Sequence, residues 1–269
     1  TRETDLLHPI NMVQKIHAVM LSGGSAYGLD AASGAMQYLE EHGAGFDMQV
    51  AKVPIVCGAS LFDLSVGDAH VRPDKEMGYA ACVDAENDTV LEGNHGAGTG
   101  ASVGKLLGFE HAMKSGIGTC GIQVGDLQVA AIVAVNACGN VVDYETNELL
   151  AGVYDSHSGS VLKAQDVLFQ QMDALRKLPE GIVTNAKLDK AQCTKIAGIA
   201  HNGYARAIHP VHTMSDGDSI FVLSSGEVEV MADAVGMLAT EMMAKAIKRA
   251  VLHAESAYGL PAHSDVICK

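Results

Sequence analysis

Apolar residues along the chain fall into short runs and a few helical stripes. Residues 16–21 form an apolar run closed by Ser22-Gly-Gly-Ser25, which predicts a buried strand ending in a turn. Leu29, Ala32, Met36 and Leu39 recur at helical spacing, and Gly43 sits where a glycine ends a helix. Residues 53–56 predict a second strand, with Pro54 marking an edge or an end, because proline cannot donate to a ladder. Residues 92–104 are glycine-rich and predict a loop. Residues 127–135 are apolar at nearly every position, as in a strand covered on both faces. Asp189 and Gln192 have capping-box spacing and open a helix expected to reach about Ile208, before Pro210. Residues 220–223 predict another strand. A long helix is expected from about Val228 to Ser256, with Val235, Leu238 and Met242 on its buried stripe. No repeat, low-complexity tract or linker interrupts the pattern. One domain spanning residues 1–269, with helices packed over layered sheets, is therefore expected.

Composition sharpens this picture. Hydrophobic residues make up 48% of the chain and charged residues 19%, enough for a sizeable core. With no Trp and 4% aromatics, that core is expected to be built from Ala, Val, Ile, Leu and the 12 Met. The 29 Gly point to tight turns and close backbone approaches. A net charge of -14 argues against nucleic acid or an anionic membrane as partner, since both repel an acidic surface. The 6 Cys include no close pair and read as buried reduced thiols. No apolar run has membrane-spanning length and no signal peptide is visible, so a soluble, cytoplasmic protein is expected.

Four segments carry candidate chemistry. The glycine-rich stretch 93–105 fails the phosphate-loop spacing, and Leu106 follows Lys105 where Ser or Thr belongs. Gly96-x-Gly98-x-x-Ala101 resembles a dinucleotide fingerprint but follows a polar segment rather than a strand. The better reading is backbone packed close to a neighbour, with Lys105 at the rim. Asn136 ends the apolar run 127–135; it is either a turn-starting residue or an oxyanion donor. Asp216 and Asp218 flank a glycine, either as a plain β-turn or as two repelling carboxylates, one of which relays a proton. His209 and His212 have no third partner at metal-ligand spacing, so no metal is expected. Ser22-Gly23-Gly24-Ser25 turns a strand into a helix and exposes backbone N–H groups suited to an anion; it is not a nucleophile elbow.

Taken together, the segments resemble the P1 family of peptidases, the DmpA-type L-aminopeptidase/D-esterases. The matching stretches are the opening Thr1-Arg-Glu-Thr-Asp-Leu-Leu7, residues 18–32, residues 53–56 with Phe62-Asp-Leu64, and residues 96–107. They continue with Ala134-Val-Asn136, Thr184-Asn-Ala186, residues 201–208, residues 210–213 and Asp216-Gly-Asp218. The resemblance covers nearly the whole chain in one order.

This resemblance implies a four-layer αββα sandwich, a homo-oligomer, no cofactor and no metal. It implies a precursor that cuts itself once and frees a Ser or Thr whose amine and hydroxyl attack a small peptide, amide or ester substrate. It also implies a further segment ahead of Thr1. Carried over by position, Asn136 is the oxyanion donor, Asp216 and Asp218 orient and polarise the nucleophile, and Lys105 adjusts its charge state. Ser22, Gly23, Gly24, Ser25 and Phe62 are candidate substrate contacts. A turn-shaping role weighs more for Ser22 and Ser25, and apolar Phe62 offers no hydroxyl. The pattern places the nucleophile near residues 176–178, where this sequence has Arg176-Lys177-Leu178. A short omitted stretch, natural loss of catalysis or an altered chain each accounts for that. The leading expectation is a self-processing aminopeptidase. The alternatives are a non-catalytic small-molecule-binding homologue and an acyltransferase of the ornithine-acetyltransferase type.

Overall fold

The computed structural model describes residues 1–87, 89–164, 180–213 and 218–267. Its principal strands are β1 (Ala18–Ser22), β2 (Val56–Ser60), β3 (Ile117–Val124), β4 (Leu127–Ala134), β5 (Asn140–Val142), β6 (Glu180–Ala186), β7 (Ile208–His209) and β8 (Ile220–Val228). Its principal helices are α1 (Ala31–Glu41), α2 (Lys75–Asp84), α3 (Lys190–Ala207) and α4 (Ala232–Leu252).

Four layers follow from which faces these elements bury. β8, β6, β4 and β3 lie side by side in one sheet. The buried face of β4 is Leu127, Val129, Ala131 and Val133, every second residue of a strand. That face meets Val235, Ala239, Met242, Met243, Ala246 and Ile247 of α4 and Ile196 and Ala200 of α3. The opposite face of β8 presents Phe221 and Leu223 to Cys57 and Ala59 of β2. β1 and β2 pair in parallel from Ala18 and Val56 to Ser22 and Ser60. Their other face, at Val56, Ala18 and Met20, packs on Ala32 and Ala35 of α1. The order is thus helices, sheet, sheet, helices: the αββα arrangement. Small and aliphatic side chains fill it, as the composition implies.

Several expectations need adjusting. Pro54 breaks the strand expected at 53–56, so pairing stops at Lys52–Val53 and resumes at Val56. On β4, Gln128 is exposed and Ala130 and Ile132 are only half-buried, so one face is fully covered and the other in part. The capping box at Asp189 is formed: its carboxylate accepts from Gln192 N at 2.7 Å, and Gln192 Oε1 accepts from Asp189 N at 2.9 Å. β8 runs on to Val228, which delays α4 to Ala232, and that helix ends at Leu252. Cys57, Cys82, Cys120 and Cys193 are free thiols, Cys57 buried and the other three only half-buried, while Cys268 lies outside the described residues. Among the described residues, no helix is long and apolar enough to cross a membrane.

Candidate active site

The sheet itself gathers the site. β4 runs antiparallel to β6, with Val133 opposite Glu180, and β6 runs parallel to β8, with Glu180 opposite Ile220. The end of β4 and the starts of β6 and β8 therefore share one edge of the sheet. Asn136 lies two residues past β4, and Asp218 two residues before β8. β6 begins there too, just after the sequence position expected for the nucleophile. Arg176-Lys177-Leu178 and Asp216 lie outside the described residues.

Asn136 is 2% exposed and held on three sides. Its Oδ1 accepts from Lys105 Nζ at 2.6 Å and from Ser102 N at 3.1 Å. Its Nδ2 donates to the Phe62 carbonyl at 2.9 Å. These partners settle which end of the amide is oxygen, because an ammonium and a backbone N–H both require an acceptor. Lys105 Nζ also donates to the carbonyls of Asn136, at 2.7 Å, and Ser102, at 2.8 Å. The positive charge on Oδ1 draws electron density from the amide and makes its N–H a stronger donor. Lys105 thus acts on Asn136. Phe62 enters through its backbone, while its ring lies 6.4 Å from that of Phe109.

Lys105 can reach Asn136 because Gly104 makes the turn before it. Gly104 has φ +75, and a Cβ there would fall 1.9 Å from the backbone carbonyl of Gly152, so a side chain has neither the conformation nor the room. Gly104 N donates to Gly139 O, which ties this turn to the one that carries Asn136.

Behind the loop lies an ionic support that no sequence motif signals. Lys114 is fully buried, and its Nζ donates to the carbonyls of Gly98, at 2.8 Å, Ala101, at 3.0 Å, and Ser115. Burial pushes its ammonium down to about 8, opposed by the nearby charge of Asp63. Burial also raises the Asp63 carboxyl, against a hydrogen bond from Gly24 N and the charges of Lys105 and Lys114. Gly24 N meets Asp63 Oδ1 at 2.7 Å. A Cβ on Gly100 would lie 2.3 Å from Asp63 Oδ2, so the carboxylate wedges between two glycine turns. Lys114 stands alone in Met113-Lys-Ser, and only its burial reveals its role.

Asp218 occupies a second cluster. Its carboxylate accepts from His212 Nδ1 at 2.5 Å, and its side chain is 7% exposed. His201, from α3, lies with its ring 5.1 Å from that of His212. The two clusters flank one turn: Gly139 bonds Gly104 on one side and packs against the backbone of His209 and Pro210 on the other.

The Ser22–Ser25 turn sits beside the first cluster through Asp63. The Ser22 hydroxyl is buried and engaged with Gly28 O, at 3.1 Å, and the Ser60 hydroxyl, at 2.6 Å. Ser25 N donates to Leu61 O at 2.9 Å. Gly23 and Gly24 bring backbone against Asp63. These contacts shape the turn. A cavity of about 840 Å³ runs along the outer edge of β8, between the N-terminal segment and α3. None of Asn136, Lys105 or Asp218 lines it, so volume alone does not mark the chemistry.

Comparison with known proteins bears on this geometry. A profile of peptidase family S58 matches residues 1–264. An uncharacterized aminopeptidase of Mycobacterium leprae (strain TN) is 40% identical over 292 residues, covering 98% of this chain and 79% of the relative. A 6-aminohexanoate-oligomer endohydrolase of Paenarthrobacter ureafaciens is 31% identical, covering 87% and 71%. The structure of an L-aminopeptidase D-Ala-esterase/amidase from Ochrobactrum anthropi, described as a variant of the Ntn hydrolase fold, superposes with a TM-score of 0.64 at 18% identity, covering 90% of this chain and 70% of that one. The chain belongs to peptidase family S58 and is a hydrolase with the fold of the N-terminal-nucleophile aminopeptidases.

Proposed function

We propose that the protein cuts itself ahead of β6 and then releases N-terminal residues from short peptides, amides or esters through the freed Ser or Thr. The observation that carries this reading is the Asn136 amide, fixed by Lys105, Ser102 and Phe62 at the sheet edge where β6 begins. The freed hydroxyl attacks the substrate carbonyl while the freed α-amine takes its proton. The new oxyanion accepts a hydrogen bond from Asn136 Nδ2, which stays oriented throughout because Oδ1 is pinned. Collapse breaks the C–N bond, the amine leaves with the proton, and water then hydrolyses the ester. Asp218, with Asp216, orients the nucleophile. The Mycobacterium leprae relative carries residues without a counterpart here, since its alignment spans 292 positions against the 269 residues of this chain.

The test is amine release from L-amino-acid amides, p-nitroanilides and linear 6-aminohexanoate oligomers by the product of the full gene. Turnover that needs a free N-terminal hydroxyl and is lost in Asn136→Ala is the expected result. A processed protein inert on all three substrate groups contradicts the proposal.

A further inference from the structure

His201, His212 and Asp218 reach one point from three parts of the chain: the interior of α3, the segment after β7, and the entry to β8. Each offers a ligand atom, and all three atoms lie within 4.8 Å of one another. This is the one such group of three among the described residues. We propose that these three side chains form a binding site for a divalent transition-metal ion of the zinc class, and that filling it switches the hydrolase off.

The donor chemistry selects the ion. Two imidazole nitrogens and one carboxylate oxygen suit zinc, and three protein ligands leave a fourth position for water. A hard cation such as magnesium prefers oxygen donors and keeps its own water. The shape of the group fits as well. The Asp218 side chain is 7% exposed and that of His212 is 42% exposed, so the site is rooted inside and open on one side. His201 is half-buried and makes edge-on ring contacts, to Tyr204 at 5.2 Å and to His212 at 5.1 Å. Its ring nitrogens make no hydrogen bond to the described residues, although buried polar atoms ordinarily find partners. Burial, followed by the neighbouring His212, lowers the His201 pKa, against the charge of Asp218. Fully buried Tyr204 gives the ring a rigid backing.

Binding asks for little movement. The ion takes the place of the proton between His212 Nδ1 and Asp218 Oδ2, now 2.5 Å apart. Tetrahedral zinc with bonds near 2.0–2.1 Å sets its ligands about 3.3 Å apart, so the pair opens by about 0.8 Å and the proton leaves to solvent. His201 closes in to complete the third bond. A carboxylate bound this way no longer orients a nucleophile. The inhibitory half of the proposal therefore rests on the role given to Asp218 under Proposed function; the binding half does not.

The experiment is a calorimetric titration of EDTA-treated, processed protein with zinc chloride, run beside an activity assay in the same buffer. The expected result is one ion per chain, binding weakened at least tenfold in both His201→Ala and His212→Ala, and a zinc inhibition of the unaltered protein that EDTA reverses. Zinc-induced rise in the melting temperature, absent in His201→Gln, gives a second readout if an alanine variant folds poorly. No stoichiometric binding, or binding unchanged in the variants, overturns the site. Binding at the site with full turnover overturns the inhibitory claim and leaves the hydrolase reading standing. Absence of turnover in metal-free protein counts against the hydrolase reading, while the titration still decides the site.

Discussion

The helix-covered sheet and the glycine loops beside it solve different problems. Val129, Ala131, Val133, Ile182, Met242, Met243 and Ile247 hold the sheet to α3 and α4 through many interchangeable apolar contacts. Volume-conserving changes there are well tolerated. The loops at 96–105 and 136–140 bury Ala97, Ala101, Val103 and Ala137, but their geometry depends on single polar groups. Lys114 serves three carbonyls, and Asn136 joins Lys105, Ser102 and Phe62. The sheet decides where the site is, and the loops decide which atoms meet there. Substitutions in the loops should therefore be costly individually, and those in the framework should be graded and separable from activity.

The largest expected effect is Lys114→Met. It leaves the carbonyls of Gly98, Ala101 and Ser115 without their donor and Asp63 with Lys105 as its remaining nearby cation, at a cost of about 3–5 kcal/mol in stability. Urea unfolding measures it; a loss under 1 kcal/mol would show that the loop does not depend on this lysine. Asn136→Ala comes next. It is expected to lower kcat by about 10²–10³, the size of effect known for a lost oxyanion donor, with a separate fall in melting temperature because Ser102 N and the Phe62 carbonyl lose their partner. Steady-state kinetics beside a thermal scan separates the two quantities. Lys105→Met should cost less, roughly tenfold to a hundredfold in kcat, because Ser102 N still holds Asn136 Oδ1. An unchanged KM with lowered kcat would mark Lys105 as acting through the donor.

The smallest effect tests the framework. Lys248, on α4, donates to Asp143 and holds its carboxyl below the usual value of 3.8, with a further bond from Glu145 N. A carboxyl lowered in the folded state stabilises above its unfolded pKa, and that contribution is lost as pH falls through the folded value. Asp143→Asn should therefore cost on the order of 1 kcal/mol at pH 7. Its difference from the unaltered protein should shrink as pH drops below 3.8, with turnover per folded molecule unchanged. Stability curves at pH 7 and pH 3 check the sign.

The framework was largely legible in the sequence because its signals are local. The Asp189 and Gln192 cap, the apolar run of β4 and the stripe of α4 each rest on neighbours within a few positions. Two elements left weak signals. α2 buries only Gly78, so it shows no apolar stripe, and Gly118 and Gly121 interrupt the run of β3. In the site, Asn136 and Lys105 were legible as residue types placed in a family pattern. Their mutual contact was not, since 31 positions separate them. Lys114 and His201 gave no signal. One is a lone cation in an apolar context, and the other is a helix residue whose partners lie beyond Pro210. Long-range proximity depends on the packing of layers, which local periodicity does not encode.

The central claim is that this fold carries a hydrolase that frees its own nucleophile, and the intact mass of the denatured full-gene product tests it most directly. Two fragments are predicted, with N-terminal sequencing of the second giving Ser or Thr shortly before Gly181. One uncut chain, with no hydroxyl residue ahead of β6, would contradict it.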